Sequence, residues 1–128
     1  MVFPEQYESD AAFFFERRPA ERALYEELLE RMERAVPEAL VRVQKSQISF
    51  YGRHLFAAVS LRRRREWPKP CIVLTLGLPE RPLSPRVAEA VEPYPGRWTC
   101  HVPLWEPAQL DPELLDWVRQ AWNVSENK

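Results

Sequence analysis

Glycine is scarce in this chain, with three residues in 128, and no part of the sequence is rich in it. Phosphate-binding loops of the GxxxxGK[ST] type need closely spaced glycines so that the backbone can approach the phosphate. The composition therefore excludes that class of nucleotide site. The thirteen prolines indicate instead stiff loops and sharply ended helices and strands.

Cysteine and histidine are also rare, with two of each. Cys71 and Cys100 cannot make a disulfide framework, and we expect both to be small buried residues on strands. His54 and His101 stand in no paired-ligand spacing such as HExxH. The sequence therefore predicts no metal site, and it gives no sign of a cofactor.

Long apolar runs are absent as well, because no stretch approaches the ~20 residues that span a bilayer, and no N-terminal signal pattern is present. We therefore expect no membrane partner and a cytoplasmic location. The length and the apolar content of 45% predict one domain over residues 1–128 with a core of its own.

The net charge of −1 conceals an uneven distribution. Residues 39–105 carry eleven basic and four acidic side chains, a net charge of +7, whereas the segments before and after carry −5 and −3. Such a basic segment can form an anion-binding face. The alternative is that acidic helices lie against a basic sheet and compensate its charge.

Two segments have the apolar spacing of amphipathic helices. The first starts at Pro19 and ends before Pro37, and the second follows Asp111, which is a favourable N-cap residue, with Pro112 at the first helical position. A shorter helix capped by Asp10 is expected before them. The three phenylalanines at 13–15 are expected to dock on the core.

Between the helices the hydrophobic period changes to two, which predicts about five strands. The strands cover 40–50, with a bulge near Ser46 where the alternation breaks, and 54–61, 71–78 and 97–105. Gly52 and Arg53 resemble a type II′ hairpin turn. The proline-rich segment 79–96 is expected to be irregular, with one helical turn at 86–90.

Grouped strands joined by short turns predict an antiparallel sheet in a two-layer α+β fold, with helices from both chain ends packed on one face. The uncovered face then carries Phe56, Ala58, Val73 and Thr75 among polar residues. It is too apolar for a purely solvated surface and too polar for a dry core.

The polar segment 44–49 is the best candidate for a binding site on this face. Its side chains are expected to lie close to basic residues across the next hairpin, where together they can hold a phosphate or a carboxylate. The candidate ligand-binding residues are Lys45, Gln47, Ser49, Arg53, His54, Arg97 and His101.

Three functions remain open at this point. The first is a non-enzymatic module that binds an anionic small molecule or a nucleic-acid backbone, with the run Arg62–Arg65 and Trp67 as candidate contacts. The second is a homodimer that buries the same sheet face. The third is a small enzyme with His54 or His101 as acid–base group. An ordinary solvated face with cross-strand pairs is the structural alternative to all three.

The chain also resembles small bacterial domains of unknown function. The resemblance rests on Val43 to Phe50, which fit a V-x-K-[ST]-Q-I-S-F motif, on Phe56 to Val59, and on Leu110 to Leu114 with Trp117 and Trp122. In layout these domains are similar to the YdhG-like and YjbR-like families. The resemblance implies a small α+β domain with an antiparallel sheet and brings no catalytic residue. Members can occur beside nuclease-like domains, which favours contact with nucleic acid.

Overall fold

The structure is a computed structural model that describes residues 1–127. Within that range it contains one sheet and three α-helices. The helices are α1 (Tyr7–Phe14), α2 (Pro19–Ala35) and α3 (Pro112–Glu126), with a 3₁₀ turn at Pro107–Gln109. The strands are β1 (Leu40–Val43), β2 (Ile48–Tyr51), β3 (Leu55–Ser60), β4 (Ile72–Leu78), β5 (Glu89–Tyr94) and β6 (Arg97–Leu104).

The six strands form one antiparallel sheet in the order β1-β2-β3-β4-β6-β5. Strands that follow one another in the chain are neighbours, as short turns require, except that β6 lies between β4 and β5. The predicted α+β class with an antiparallel sheet is confirmed, with six strands where about five were expected.

The additional strand is β5, which lies in the proline-rich segment that was expected to be irregular. No helix forms at 86–90, because β5 pairs with β6 from Glu89 onwards. Pro93 is tolerated because β5 is an edge strand, where one side of the backbone needs no ladder hydrogen bond.

The break in alternation near Ser46 is a hairpin turn and not a bulge. The Gln44 amide donates to the Gln47 carbonyl at 2.8 Å, and β1 and β2 pair on either side of this turn. The bulge lies in β3, where the pairing passes from Phe50 opposite Ala57 to Tyr51 opposite Leu55.

Phe56 is the extra residue of this bulge, which changes the direction of its side chain. Its ring lies edge-on to Trp122 of α3, with the centroids 5.4 Å apart, and only 2% of the residue is exposed. The expectation that Phe56 lies on the uncovered face is therefore wrong, whereas Ala58, Val73 and Thr75 do share that face.

Helices α2 and α3 cover the other face of the sheet, as predicted. Leu28 and Met32 of α2 and Leu114 of α3 are fully buried, as are Leu74 and Leu76 of β4 beneath them. Each such side chain contributes about 1.5–3 kcal/mol through burial. Among the described residues, no helix has the length and apolar character needed to cross a bilayer.

Helix α1 begins three residues earlier than its expected cap, Asp10, and it packs beside β1. The hydroxyls of Tyr7 in α1 and Tyr25 in α2 share a buried hydrogen bond of 2.7 Å. Phe15 is buried against Tyr25, but Phe13 is 77% exposed, so the three phenylalanines do not all dock on the core.

Both cysteines are buried and free, as expected. Burial raises the pKa of the Cys71 and Cys100 thiols. A thiol kept protonated in this way is a poor nucleophile, which argues against a catalytic cysteine in this fold.

Asp111 caps α3 as predicted, and its carboxylate accepts a hydrogen bond from the Leu114 amide at 3.0 Å. Arg86 Nη1 lies 2.9 Å from Asp111 Oδ1 and 3.1 Å from Glu113 Oε1. Burial acts to raise the pKa of Asp111, but the hydrogen bonds from Arg86 and the Leu114 amide outweigh burial and lower the pKa of this carboxyl.

A lowered folded-state pKa means that Asp111 stabilises the fold above the pKa of the unfolded chain, and that this stabilisation is lost as the pH falls through the folded pKa. Asp111→Asn keeps a good N-cap residue and removes the charge. We expect this variant to be less stable by about 1 kcal/mol at pH 7, and the difference from wild type to shrink below about pH 4.

Urea unfolding at pH 7 and pH 3 measures this difference. Asp116→Asn is the matched control, because Asp116 is exposed on the same helix and contacts Gln120 instead of an arginine. A deficit for Asp111→Asn that is equal at both pH values would contradict the assignment.

Candidate functional site

One row of side chains crosses the sheet on the face that α2 and α3 leave uncovered, called here the open face. Residues directly opposite each other in antiparallel strands point to the same side. The strand register places the following residues in this row, in order across the sheet: Arg42, Ser49, Ala58, Thr75, His101 and Glu89.

Ser49 is fully buried although it lies on the open face. Its hydroxyl donates to Gln44 Oε1 and accepts from Gln47 Nε2 at 2.8 Å. The two glutamines flank the β1–β2 turn, so their amide groups cover Ser49 and satisfy it. This hydrogen-bonded chain accounts for most of the polar character of segment 44–49 and fixes the amide of Gln47.

Thr75 and His101 form the centre of the row. Thr75 Oγ1 lies 2.8 Å from His101 Nδ1, in a hydrogen bond between neighbouring strands. Glu89 of the edge strand stands opposite His101 on its other side. A hydroxyl, an imidazole and a carboxylate are therefore adjacent on one face of the sheet.

The loop from Leu61 to Pro70, called here the β3–β4 loop, lies beside one end of the open face. Arg64 forms an ion pair with Glu89, and its guanidinium lies 5.6 Å from the centre of the Trp67 ring. The ion pair joins the loop to the edge strand, and the contact with Trp67 lies within the loop.

Sheet and loop together enclose a cavity of about 490 Å³, called here the open-face pocket. Its floor is mostly polar and comprises Gln47, Ser60, Val73, Thr75, Glu89 and His101. Its wall is basic and aromatic and comprises Arg62, Arg63, Arg64 and Trp67, with Ser46 at the rim.

A second cavity, of about 640 Å³, lies on the other side of the β3–β4 loop and is called here the basic cluster. Cations from this loop and from the α1–α2 turn converge on it: Arg17, Arg18, Arg62, Arg63, Arg65 and Lys69. Glu21 is its one acid, and it pairs with Arg18 at 3.6 Å.

A third cavity, of about 580 Å³, adjoins Trp67 and is called here the aromatic groove. Trp67 and Trp105 line it together with Pro103 and Ala88. Arg86 also borders it, but its guanidinium is engaged by Asp111 and Glu113. Its lining also includes three acids, Glu106, Asp111 and Glu113. The aromatic side of the groove is therefore suited to an uncharged flat group and not to a phosphate.

Three of the seven predicted residues lie together on the open face. Gln47 and His101 line the open-face pocket, and Ser49 positions Gln47 from below. Lys45 is exposed at the tip of the β1–β2 turn, next to Ser46 at the pocket rim.

Arg53 and His54 lie at the opposite end of β2, which spans about 10 Å, so they are not brought close to Lys45. They adjoin the end of α3, where the Ser125 hydroxyl accepts from the His54 amide at 2.8 Å and donates to its carbonyl at 2.9 Å. Arg97 shares the face of His101 but lies about 13 Å further along β6.

Ser60 and Glu89 were not predicted to belong to the site. Glu89 lies in the strand that was expected to be irregular. The run Arg62–Arg65 and Trp67 were candidate nucleic-acid contacts from the sequence, but only the folded loop shows that Arg62, Arg63, Arg64 and Trp67 adjoin this row of side chains. Among residues 1–127 no group of three or more metal-ligating side chains converges.

Comparison with known proteins gives one family and no close relative. The family model described as "Domain of unknown function (DUF5655)" matches residues 11–125. No curated protein and no solved structure matches the chain significantly, and the similarity to YdhG-like and YjbR-like domains is not confirmed. Because the match covers most of the chain, this protein belongs to the DUF5655 family, a family of domains of unknown function.

Proposed function

We propose that the chain is a non-enzymatic binding module that holds the phosphate and the base of a nucleotide in the open-face pocket. The observation that carries the proposal is that arginines and a tryptophan of one loop line the same cavity as a row of hydrogen-bonding side chains. This combination supplies charge, stacking and orientation within one site.

The phosphate is bound by Arg62 and Arg63. Neither guanidinium has an acidic partner within 4.0 Å among the described residues, whereas Arg64 is paired with Glu89. Arginines without an acidic partner can pair with phosphate through two parallel hydrogen bonds. The ion pair with Glu89 holds Arg64 in the wall of the pocket, and Arg62 and Arg63 are the arginines available to bind a phosphate.

The base contacts Trp67 and the polar floor. An indole ring stacks on any nucleobase, and Gln47, Ser60 and Thr75 offer donors and acceptors to its edge. A volume of about 490 Å³ is within the range of small-molecule pockets, which supports a ligand of nucleotide size.

Calorimetric titration at low ionic strength tests this function, with thymidine against dTMP and adenosine against AMP. We expect each nucleotide to bind at least about tenfold more tightly than its nucleoside, because a charge-assisted phosphate contact contributes about 1.5–3 kcal/mol. Binding of the nucleotides is expected to weaken as salt is added.

Thr75→Val is the informative variant, because it keeps the shape of the side chain and removes the hydroxyl that bonds His101. Arg53→Gln is its control, since Arg53 lies at the far end of β2. We expect Thr75→Val to lower nucleotide affinity more than Arg53→Gln does. Equal decreases in the two variants would contradict the proposal. It would also be contradicted if neither nucleotide bound at low salt.

One observation favours a second candidate, a small enzyme that uses His101 as acid–base group. The hydrogen bond of 2.8 Å between Thr75 Oγ1 and His101 Nδ1 fixes one ring nitrogen, as general acid–base catalysts require. His54 lacks such a setting. Product analysis after long incubation with nucleotides distinguishes the two, because a binding module returns its ligand unchanged.

The homodimer is the least supported of the three alternatives. Phe56 and Val73 suggested it, but Phe56 is buried by α3 and only 4% of Val73 is exposed. Sedimentation velocity at several protein concentrations tests it, and a monomer at every concentration would exclude it.

A further inference from the structure

We infer that the ligand of the open-face pocket is one unit of a longer chain, a single-stranded nucleic acid that runs from the basic cluster across the pocket into the aromatic groove. The inference rests on the proposed nucleotide site and extends it. Its motivating observation is that neighbouring cavities share lining residues: Arg62 and Arg63 line the basic cluster and the open-face pocket, and Trp67 lines the open-face pocket and the aromatic groove.

The basic cluster is the part of this path that binds backbone phosphates. Of its six cations, only Arg18 has an acidic partner within 4.0 Å among the described residues. Five neighbouring cations without such a partner repel one another, in a chain whose net charge is −1. The consecutive phosphates of a strand can each pair with different cations of the cluster and so relieve this repulsion. The single phosphate of a mononucleotide reaches only part of the cluster.

The aromatic groove supplies the other element that a single strand needs. The indole side chains of Trp67 and Trp105 line one cavity, together with Pro103 and Ala88. Because Glu106, Asp111 and Glu113 line it too, it suits the bases of a strand and not the phosphates. Bases of a single strand are free to stack on such surfaces, and stacking tolerates any base. Paired bases in a duplex hide their faces, so this groove favours single strands over duplexes.

A membrane surface fits the same cations less well. Lipid-binding basic patches combine cations with exposed apolar side chains that enter the bilayer. Leu61 is the one apolar residue that lines the basic cluster, and it is only partly exposed. A sugar–phosphate chain is therefore the polyanion that this cluster and the adjoining groove fit together.

Fluorescence anisotropy with labelled (dT)₂, (dT)₄ and (dT)₈ tests the inference, with oligo(U) of the same lengths to compare DNA with RNA. Unlabelled dTMP is titrated by calorimetry in parallel. We expect affinity to rise steeply from dTMP to (dT)₄, and the dependence on salt to become steeper with length.

The double variant Arg17→Gln/Arg65→Gln removes cations of the basic cluster that do not line the open-face pocket. It is expected to lower the affinity for (dT)₈ at least tenfold and to leave the affinity for dTMP unchanged. The dependence of (dT)₈ affinity on salt is expected to become less steep, by about 0.7 in log–log slope for each phosphate that is no longer neutralised.

Trp105→Ala is expected to lower the affinity for (dT)₈ about tenfold and to leave the affinity for dTMP unchanged. Arg34→Gln/Arg119→Gln, two exposed arginines of α2 and α3, is the charge-matched control and is expected to have little effect.

The outcomes separate the two proposals. If dTMP binds but (dT)₈ binds no more tightly, or if the cluster variant behaves like its control, the single-strand inference is overturned and the nucleotide site stands. If dTMP fails to bind, the nucleotide site fails, and the inference that depends on it fails as well. Tighter binding to a duplex or to vesicles containing phosphatidylserine than to (dT)₈ would also overturn the inference.

Discussion

Replacing Gly52 by alanine is expected to lower the free energy of unfolding by about 1–3 kcal/mol, which is a large part of the stability of a small domain. A β-carbon at this position would lie 2.8 Å from Trp122 Cζ3 and 3.2 Å from Ser125 Oγ, both on α3. It would also meet the Glu126 carboxylate at 2.6 Å, although that flexible group can move away.

The indole ring cannot move without cost, because Trp122 packs edge-on against the buried Phe56. Ser125 is equally constrained, since its hydroxyl bonds both the amide and the carbonyl of His54. An added methyl group therefore disturbs the bulge of β3 and the β2–β3 turn together.

Gly77→Ala is the matched control for this prediction. Gly77 lies near the end of β4, and the nearest atom to a β-carbon there is the Phe56 carbonyl oxygen at 3.9 Å. We expect this change to be neutral or to stabilise by about 0.4–1 kcal/mol, because it restricts the unfolded chain. Urea denaturation compares the two, and equal stabilities would show that α3 does not approach Gly52 closely.

The double variant Arg62→Gln/Arg63→Gln is expected to weaken nucleotide binding on the order of 100-fold, because two charge-assisted contacts are removed. These arginines line both the open-face pocket and the basic cluster. The affinities for dTMP and for (dT)₈ should therefore fall together, unlike the selective loss of (dT)₈ affinity expected for Arg17→Gln/Arg65→Gln and for Trp105→Ala.

Arg53→Gln/Arg97→Gln is the charge-matched control for this variant. Both residues were candidates from the sequence, but each lies several residues away from the row of side chains along the strand direction, Arg53 in the β2–β3 turn and Arg97 at the start of β6. Calorimetry with dTMP measures the change in affinity, and circular dichroism checks that each variant is folded. If the affinity for dTMP fell by a comparable factor in the two double variants, binding would depend on the net charge of the protein and not on the arginines of the β3–β4 loop.

The limits of α2 and α3 and the fold class could be predicted from the sequence because they depend on local signals. Pro19, Pro37 and Asp111 mark helix ends through the backbone conformations and hydrogen bonds that they favour. β4 was predicted for a similar reason, since its alternation is regular from Ile72 to Leu78.

The direction of Phe56 could not be predicted, because it depends on the pairing of β3 with β2. A bulge inserts one residue and changes which face a side chain occupies, and nothing local in 55–59 signals it. Gly52 was misassigned for a related reason. Its φ lies outside the positive range that a type II′ turn requires, and the glycine is explained by the approach of α3, 70 residues later in the chain.

The candidate site was predicted in part. Gln47, Ser49 and His101 were selected because polar residues in strand segments need a hydrogen-bond partner or a function. That argument uses only the local sequence, so it could be made before the fold was known. The contribution of Glu89 and of the β3–β4 loop depends on which strand lies next to β6 and on where a loop folds back. Both are properties of the tertiary structure.

Two-dimensional ¹H–¹⁵N NMR during titration with dTMP tests the central proposal most directly. We expect the Trp67 indole signal and the amide signals of Arg62, Arg63, Thr75 and His101 to shift along one saturable curve, while those of residues 52–55 stay unchanged. Shifts confined to residues 52–55, or no saturable shift at the loop and the polar row, would contradict a nucleotide site on the open face.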